Sequence, residues 1–262
     1  MRIYIIGQAV GLVMLYFFIF FIAGTIKKNN SIVDIGWGLG FVITAWFTLF
    51  ISRSFFVSNI IITLAVTIWG MRLFIHIMRR NLGKGEDFRY ATWRKEWGKW
   101  VIPRAFLQVY MLQGLFMLTV ASPFILLNSM ESSEFTWITA LGAVIWMIGF
   151  FFESVGDYQL EQFKKNPANK GTILRTGLWK YSRHPNYFGE STMWWGIGLA
   201  AFGSGAGAAA FISPFVITFL LLFVSGVPML EKSFEKRPGY QSYKEVTSVF
   251  IPLPPKKRKY EI

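Results

Sequence analysis

The sequence contains no cysteine. Disulfide scaffolds, thiol nucleophiles, zinc–thiolate sites and iron–sulfur clusters are thereby excluded. Charge is scarce as well: 16% of the 262 residues are Asp, Glu, Lys or Arg, against roughly 25% in a typical soluble domain. Acidic residues are the rarest of these, 14 against 27 Lys and Arg, for a formal net charge of +13. What is abundant is apolar surface, with 53% hydrophobic and 18% aromatic residues. That aromatic content excludes disorder, and the apolar residues fall in long blocks. The composition describes an all-α, polytopic membrane protein.

A helix needs about 20 apolar residues to cross a bilayer, and seven blocks satisfy this: 3–25, 32–52, 55–78, 105–127, 135–156, 186–203 and 208–230. The first is too long for a signal-peptide core and is stopped by Lys27 and Lys28, as an anchor would be. A net charge of +13 in a soluble protein would point to nucleic acid; in a membrane protein it sets topology. The connections holding 27–28, 79–104, 157–185 and the tail from Lys232 carry two, eight, six and eight Lys/Arg. All four lie on one side. The other side has only Arg2 and Arg53, together with Glu131, Glu134 and an uncharged turn at Gly203–Gly207. The expected orientation is N-terminus outside and C-terminus cytoplasmic, with no role for nucleic acid. Trp93, Trp97 and Trp100 among the charges of 79–104 place that segment in the headgroup region. The tail cluster Lys256-Lys257-Arg258-Lys259 reads as a contact with anionic lipid headgroups. No repeat and no hydrophilic domain are visible, so residues 1–262 are expected to form one membrane domain.

Ionisable groups within spans cost about 2.5–3.5 kcal/mol each at the bilayer centre, yet this chain keeps several at a shared depth. Asp34 opens span two, Arg72 and His76 lie one turn apart in span three, and Gln108 and Gln113 sit in span four. Glu153 and Asp157 end span five, Asn186 and Glu190 begin span six, and Glu231 with Glu235 closes span seven. The plain alternative is snorkelling and helix capping. Carboxylates and amides are not topology signals, however. The set predicts a polar cavity open to the cytoplasm beneath apolar helices.

The densest run is Gly177-Leu178-Trp179-Lys180-Tyr181-Ser182-Arg183-His184-Pro185-Asn186-Tyr187-Phe188-Gly189-Glu190. Pro185 suits a first helical turn, where its missing N–H has no acceptor to lose. The helix start beside Arg183 and His184 suits an anion. Asn186 and Glu190 share a face and can hydrogen-bond an amide or a ribose, while Gly189 permits close approach of a ligand or a helix. By contrast, Gly36-Trp37-Gly38-Leu39-Gly40 lacks the flanking strand of a dinucleotide fold and reads as helix packing. No metal site is expected.

The run resembles that of the steroid 5α-reductase superfamily, in its bacterial membrane-protein branch; sterol reductases and isoprenylcysteine methyltransferases carry related forms. The resemblance is strongest over 145–255. It includes Glu153-Ser154-Val155-Gly156-Asp157-Tyr158-Gln159-Leu160, Phe163-Lys164, the Arg183–Glu190 run, and then Tyr240, Tyr243 and Phe250-Ile251-Pro252. It implies an enzyme of lipid metabolism in the bacterial inner membrane. Such an enzyme binds NADPH from the cytoplasm and reduces a C=C bond conjugated to a ketone in a steroid-like or isoprenoid substrate that enters from the lipid. By position Asp157, Asn186 and Glu190 match its nicotinamide-dinucleotide contacts, and Glu153, Tyr187 and Glu231 are further candidate cofactor residues. Lys164 stands at an arginine position, and Arg183, His184, Arg72, Arg80 and Lys84 complete a cationic cradle. Where the reductases place a Gln-Glu pair on helix two, this chain has Asp34-Ile35-Gly36-Trp37, and Trp69 replaces their tyrosine. Asp34 and His76 are therefore the candidate acids. An S-adenosylmethionine-dependent lipid or prenyl methyltransferase and a non-enzymatic lipid-binding protein are the rival classes.

Overall fold

A computed structural model describes residues 2–81 and 83–256. The Lys257, Arg258 and Lys259 part of the basic tail lies outside the described residues. Among these, the chain is all-α, with no strand and one isolated bridge, Ser182 to Ser248. Six helical segments are long and apolar enough to cross a membrane: Ile3–Ile26, Ile32–Ser52, Val57–Asn81, Phe88–Asn128, Trp137–Lys165 and Ala208–Phe234. The expected sixth span is helical over Pro185–Ala201, but it has only 17 residues. It runs on into a π-turn at Phe202–Ala206 and is not one of these six.

The chain divides into two compact units. The first runs to Ala140 and includes Leu199–Ser213. Its core is α1 (Ile3–Ile26), α2 (Ile32–Ser52) and α3 (Val57–Asn81), with the later helix α6 (Leu112–Asn128) packed beside them. The glycines of α2 serve packing, as expected. A Cβ on Gly38 would stand 2.4 Å from the Gly70 carbonyl oxygen, and one on Gly70 would stand 2.6 Å from that of Gly38. Gly36 is pressed against Phe20, and Gly40 against Met117. Buried amides tie the far end together: Asn59 Nδ2 donates to Asn128 Oδ1 at 2.8 Å, and Asn128 Nδ2 donates to Thr48 Oγ1 at 2.9 Å.

Sequence reading starts span four at 105, whereas helix begins at Phe88. Helix α4 (Phe88–Trp97) is capped by Asp87, whose Oδ1 accepts from Arg89 N–H at 3.0 Å. It ends at Gly98, where φ is +49°, a conformation that costs glycine little. Trp93 and Trp97 stack on its surface, and Trp100 is exposed. The short α5 (Val101–Ala105) and a π-turn at Phe106–Met111 lead into α6.

The second unit comprises Leu141–Gly198 and the chain from Pro214. Helix α7 (Trp137–Lys165) continues two turns past the expected end of span five, so Asp157 lies inside a helix rather than at its terminus. Helix α8 (Pro185–Ala201) starts at Pro185, where Phe188 N–H makes the opening turn's bond to the His184 carbonyl at 3.0 Å. α7 and α8 touch backbone to backbone: a Cβ on Gly189 would lie 2.3 Å from Glu153 N and 2.6 Å from Gly149 O. The last span is broken. α9 (Ile212–Phe219) passes through a π-turn at Leu220–Val224 to a bend at Gly226, and α10 (Val227–Phe234) and α11 (Tyr240–Val246) follow. Glu231 therefore sits on its own short helix, and Glu235 is exposed at that helix's end instead of sharing its surroundings.

Candidate functional site

The second unit encloses a cavity of about 460 Å³. Its floor and walls come from the end of α7 (Leu160, Phe163, Lys164), the 166–174 loop, Trp179, Arg183 and His184 before α8, and the face of α10 and α11 carrying Glu231, Tyr240 and Tyr243. Four cations line it, Lys164, Lys170, Arg183 and Arg237, against one carboxylate, Glu231. Arg183 and His184 are buried, the latter completely.

These two side chains are gripped from α10. Glu231 Oε1 lies 3.0 Å from His184 Nε2 and 3.2 Å from Arg183 Nε. Arg183 Nε and Nη1 and His184 Nδ1 are buried with no hydrogen-bond partner among the described residues, so the Glu231–Arg183 contact is an ion pair alone. The His184 ring stacks on Tyr187, with centroids 5.6 Å apart and planes within 7°. One turn further, Asn186 Nδ2 donates to Asp157 Oδ1 at 3.1 Å, which leaves Asn186 Oδ1 buried and unpartnered among the described residues. Glu153 is buried beneath Gly189, and Glu190 is half-buried one turn beyond Asn186. Buried polar atoms normally have partners. An orphaned guanidinium N–H and two orphaned acceptors, with three further cations on the cavity wall, fit a ligand that carries fixed negative charge together with hydroxyl or amide donors.

The loop before α8 is held from the tail of the chain. Arg183 N–H donates to the Ser248 carbonyl at 2.8 Å, Ser182 Oγ donates to the Phe250 carbonyl at 2.7 Å, and Leu253 N–H donates to the Tyr181 carbonyl at 3.0 Å. The Tyr243 hydroxyl donates to the Trp179 carbonyl, and Trp179 Nε1 donates to the Gly156 carbonyl at 3.1 Å. Burial raises the Tyr243 hydroxyl above its ordinary pKa; burial and then the Glu231 carboxylate do the same for Tyr240. Both tyrosines stay neutral donors across the physiological range.

The remaining expected residues belong to the first unit. Arg72 and His76 are half-buried on α3, while Arg80 and Lys84 are exposed at and after its end. Gln108 is exposed on the π-turn rather than facing a polar interior. Asp34 is half-buried in a network that sequence reading misses: its Oδ1 accepts from the Tyr90 hydroxyl at 2.7 Å and its Oδ2 from Arg89 Nη2 at 3.0 Å. Gln113 Nε2 reaches Tyr90 at 3.4 Å. Beside it, Glu86 accepts from Arg94 Nε and Nη2, both at 2.8 Å, and from Asn30 N–H at 2.7 Å. Burial pushes the Glu86 carboxyl up, but these bonds and the Arg94 charge outweigh it and hold it below the usual range. Asp87 behaves likewise: burial is outweighed by hydrogen bonds from Arg89 and by the charges of Arg89 and Arg80. These partners are more than 50 residues from Asn30 and Asp34 in the chain, and the only local signal is the capping pattern at Asp87.

The architecture and the two polar clusters define a helical membrane protein with a cationic, partly unsatisfied pocket at the start of a short helix. The chain belongs to the family described as protein of unknown function (DUF1295), which it matches over residues 20–247, and with it to the steroid 5α-reductase superfamily. It is 26% identical to an uncharacterized protein of Schizosaccharomyces pombe over 86% of this chain and 73% of that one. It is 29% identical to bovine 3-oxo-5-alpha-steroid 4-dehydrogenase 1 over 42% of this chain and 41% of that enzyme. It is also 35% identical to a probable O-methyltransferase of Ustilaginoidea virens over 38% of this chain and 34% of that protein. The chain thus spans well under half of each relative with a named activity. No solved structure matches it significantly.

Proposed function

We propose that the protein is a membrane-embedded, NADPH-dependent reductase of an enone in a hydrophobic lipid, steroid-like or isoprenoid. The observation that carries this reading is the unsatisfied pocket: Arg183 Nη1 and His184 Nδ1 lack partners on the wall of a cavity with four cations and one carboxylate, and Asn186 Oδ1 lacks one in the first turn of α8. A dinucleotide bearing phosphates, ribose hydroxyls and a carboxamide supplies one complementary group for each. In this reading Lys164, Arg183 and His184 hold the anionic part, and Asp157, Asn186, Tyr187, Glu190 and Glu153 orient the remainder near the start of α8. Arg72, Arg80 and Lys84 are further candidate cations, on the first unit. Bound NADPH supplies the hydride for the β-carbon of the enone.

The protein's own task is then to polarise the substrate carbonyl with a positioned hydrogen-bond donor, as an oxyanion hole does. Asp34 and His76 are the proposed acid residues. Asp34 accepts from Arg89 and Tyr90, bonds that hold its carboxyl group in place, and His76 is the alternative donor. Seven spans, with the N-terminus outside and the basic connections in the cytoplasm of a bacterium, place the pocket where soluble NADPH is available and leave the apolar helices to admit substrate from the lipid. All 262 residues act as one membrane domain in this scheme, with 145–255 as the reductase-like part.

The similarity to a probable O-methyltransferase supports a second reading, an S-adenosylmethionine-dependent methyltransferase. That cofactor carries one carboxylate and a sulfonium, and four lining cations exceed its needs. Thermal unfolding of the detergent-solubilised protein separates the two, because a ligand that binds the native state raises its stability. Protection by NADPH and by neither NADH nor S-adenosylmethionine is expected. Protection by S-adenosylmethionine alone refutes the reductase reading.

A further inference from the structure

The Glu231 carboxylate is the one acidic group on the cavity wall, an odd place for a negative charge in a pocket fitted to an anion. Its geometry explains it. A single oxygen, Oε1, is hydrogen-bonded to His184 Nε2 at 3.0 Å and ion-paired with Arg183 Nε at 3.2 Å. The three side chains are 13%, 1% and 9% exposed, so water contributes little to holding them. A guanidinium anchored at Nε leaves its Nη groups for a second acceptor, and an imidazole that donates from Nε2 leaves Nδ1 as an acceptor. Arg183 Nη1 and His184 Nδ1 are both buried without a hydrogen-bond partner among the described residues, and Arg183 Nε has the Glu231 charge beside it but no hydrogen bond. Arg183 and His184 precede α8, whereas Glu231 belongs to α10, so the carboxylate also fixes the helix start relative to α10.

We propose that Glu231 is a positioning residue. It makes no contact with the ligand. It orients Arg183 so that Nη1 meets an anionic group and orients His184 so that Nδ1 accepts from a ligand hydroxyl. The ligand class this defines is a phosphorylated or carboxylated ribose derivative. The inference rests on the cofactor reading above and specifies how that site is built.

The test is a double-mutant cycle on NADPH affinity, measured by ligand fluorescence with the full-length protein in detergent. Glu231→Ala and Arg183→Lys are each expected to weaken binding about tenfold. Because one acts through the other, the double variant should also lose about tenfold rather than the hundredfold of independent sites. Glu231→Gln keeps an oxygen that accepts from both partners and should stay within about threefold of wild type. Where Glu231→Ala does not fold, Glu231→Asp replaces it: the charge is kept, the reach to both partners is lost, and the same tenfold weakening is expected. Additive losses, or Glu231→Gln as weak as Glu231→Ala, overturn the positioning role. Equal affinity of wild type and Glu231→Ala overturns it too while leaving the cofactor reading intact. Absence of NADPH binding by the wild-type protein overturns the cofactor reading and this inference with it.

Discussion

Replacing Gly189 by alanine tests whether the contact between α7 and α8 sets the site. The added methyl would lie 2.3 Å from Glu153 N, 2.6 Å from Gly149 O and 2.9 Å from Glu153 Cα, where ordinary contact begins at 3.4 Å. All three obstacles are backbone atoms of a continuous helix, so no rotamer change relieves them. α8 must back away from α7 by about 1 Å, at a cost of roughly 1–3 kcal/mol for overpacking. The same displacement separates Asn186 from Asp157, now 3.1 Å apart, and a shift of this size can cost on the order of 100-fold in function. The assays are thermal unfolding in detergent and NADPH affinity. The control is Gly7→Ala in α1, where nothing lies within 4 Å of the new methyl; replacing a helical glycine should leave stability equal or higher by up to about 1 kcal/mol. A Gly189→Ala protein with wild-type melting temperature and NADPH affinity refutes the argument.

Asp157→Ala and Asn186→Ala should each abolish thermal protection by NADPH, because the first frees the amide that the second presents; unchanged protection in both would remove these residues from the site. Glu86→Gln should melt lower than wild type at pH 7, by an amount worth about 1 kcal/mol for a partly exposed pair. Since the folded state holds Glu86 below its ordinary pKa, its contribution is present above the unfolded value and lost as pH falls through the folded one. The gap between variant and wild type should therefore close on acidification; a gap that is constant with pH contradicts the clamp. The lack of native cysteine makes single-cysteine labelling clean. Ser132→Cys should react with an impermeant reagent added outside intact cells and Lys236→Cys only after lysis; the opposite pattern reverses the topology.

Much of the fold is legible because the bilayer imposes a length on apolar runs, and each of the six long helices overlaps one of the seven blocks that composition marks. Boundaries are less legible where a helix leaves the apolar layer. α7 runs to Lys165 because Gln159, Glu161, Gln162 and Lys164 are good helix formers in water, while a hydropathy window stops at the first charges. The break at Ser225–Gly226 is hidden for the opposite reason, since the apolar run continues through it. At the site, the helix start at Pro185 and the close approach at Gly189 follow from local chemistry and can be read directly. The pairing of Glu231 with Arg183 and His184 joins residues almost 50 apart in the chain, and that of Asp34 with Tyr90 joins residues 56 apart. No periodicity encodes such pairs. The type of residue is visible in advance, and the partner is not.

The most direct test of the account is a structure determined with NADPH bound. It should contain the dinucleotide in the cavity of the second unit, with an anionic oxygen within hydrogen-bond distance of Arg183 Nη1 and a donor on Asn186 Oδ1. Density for the cofactor elsewhere, with those two atoms still unpartnered, would contradict it.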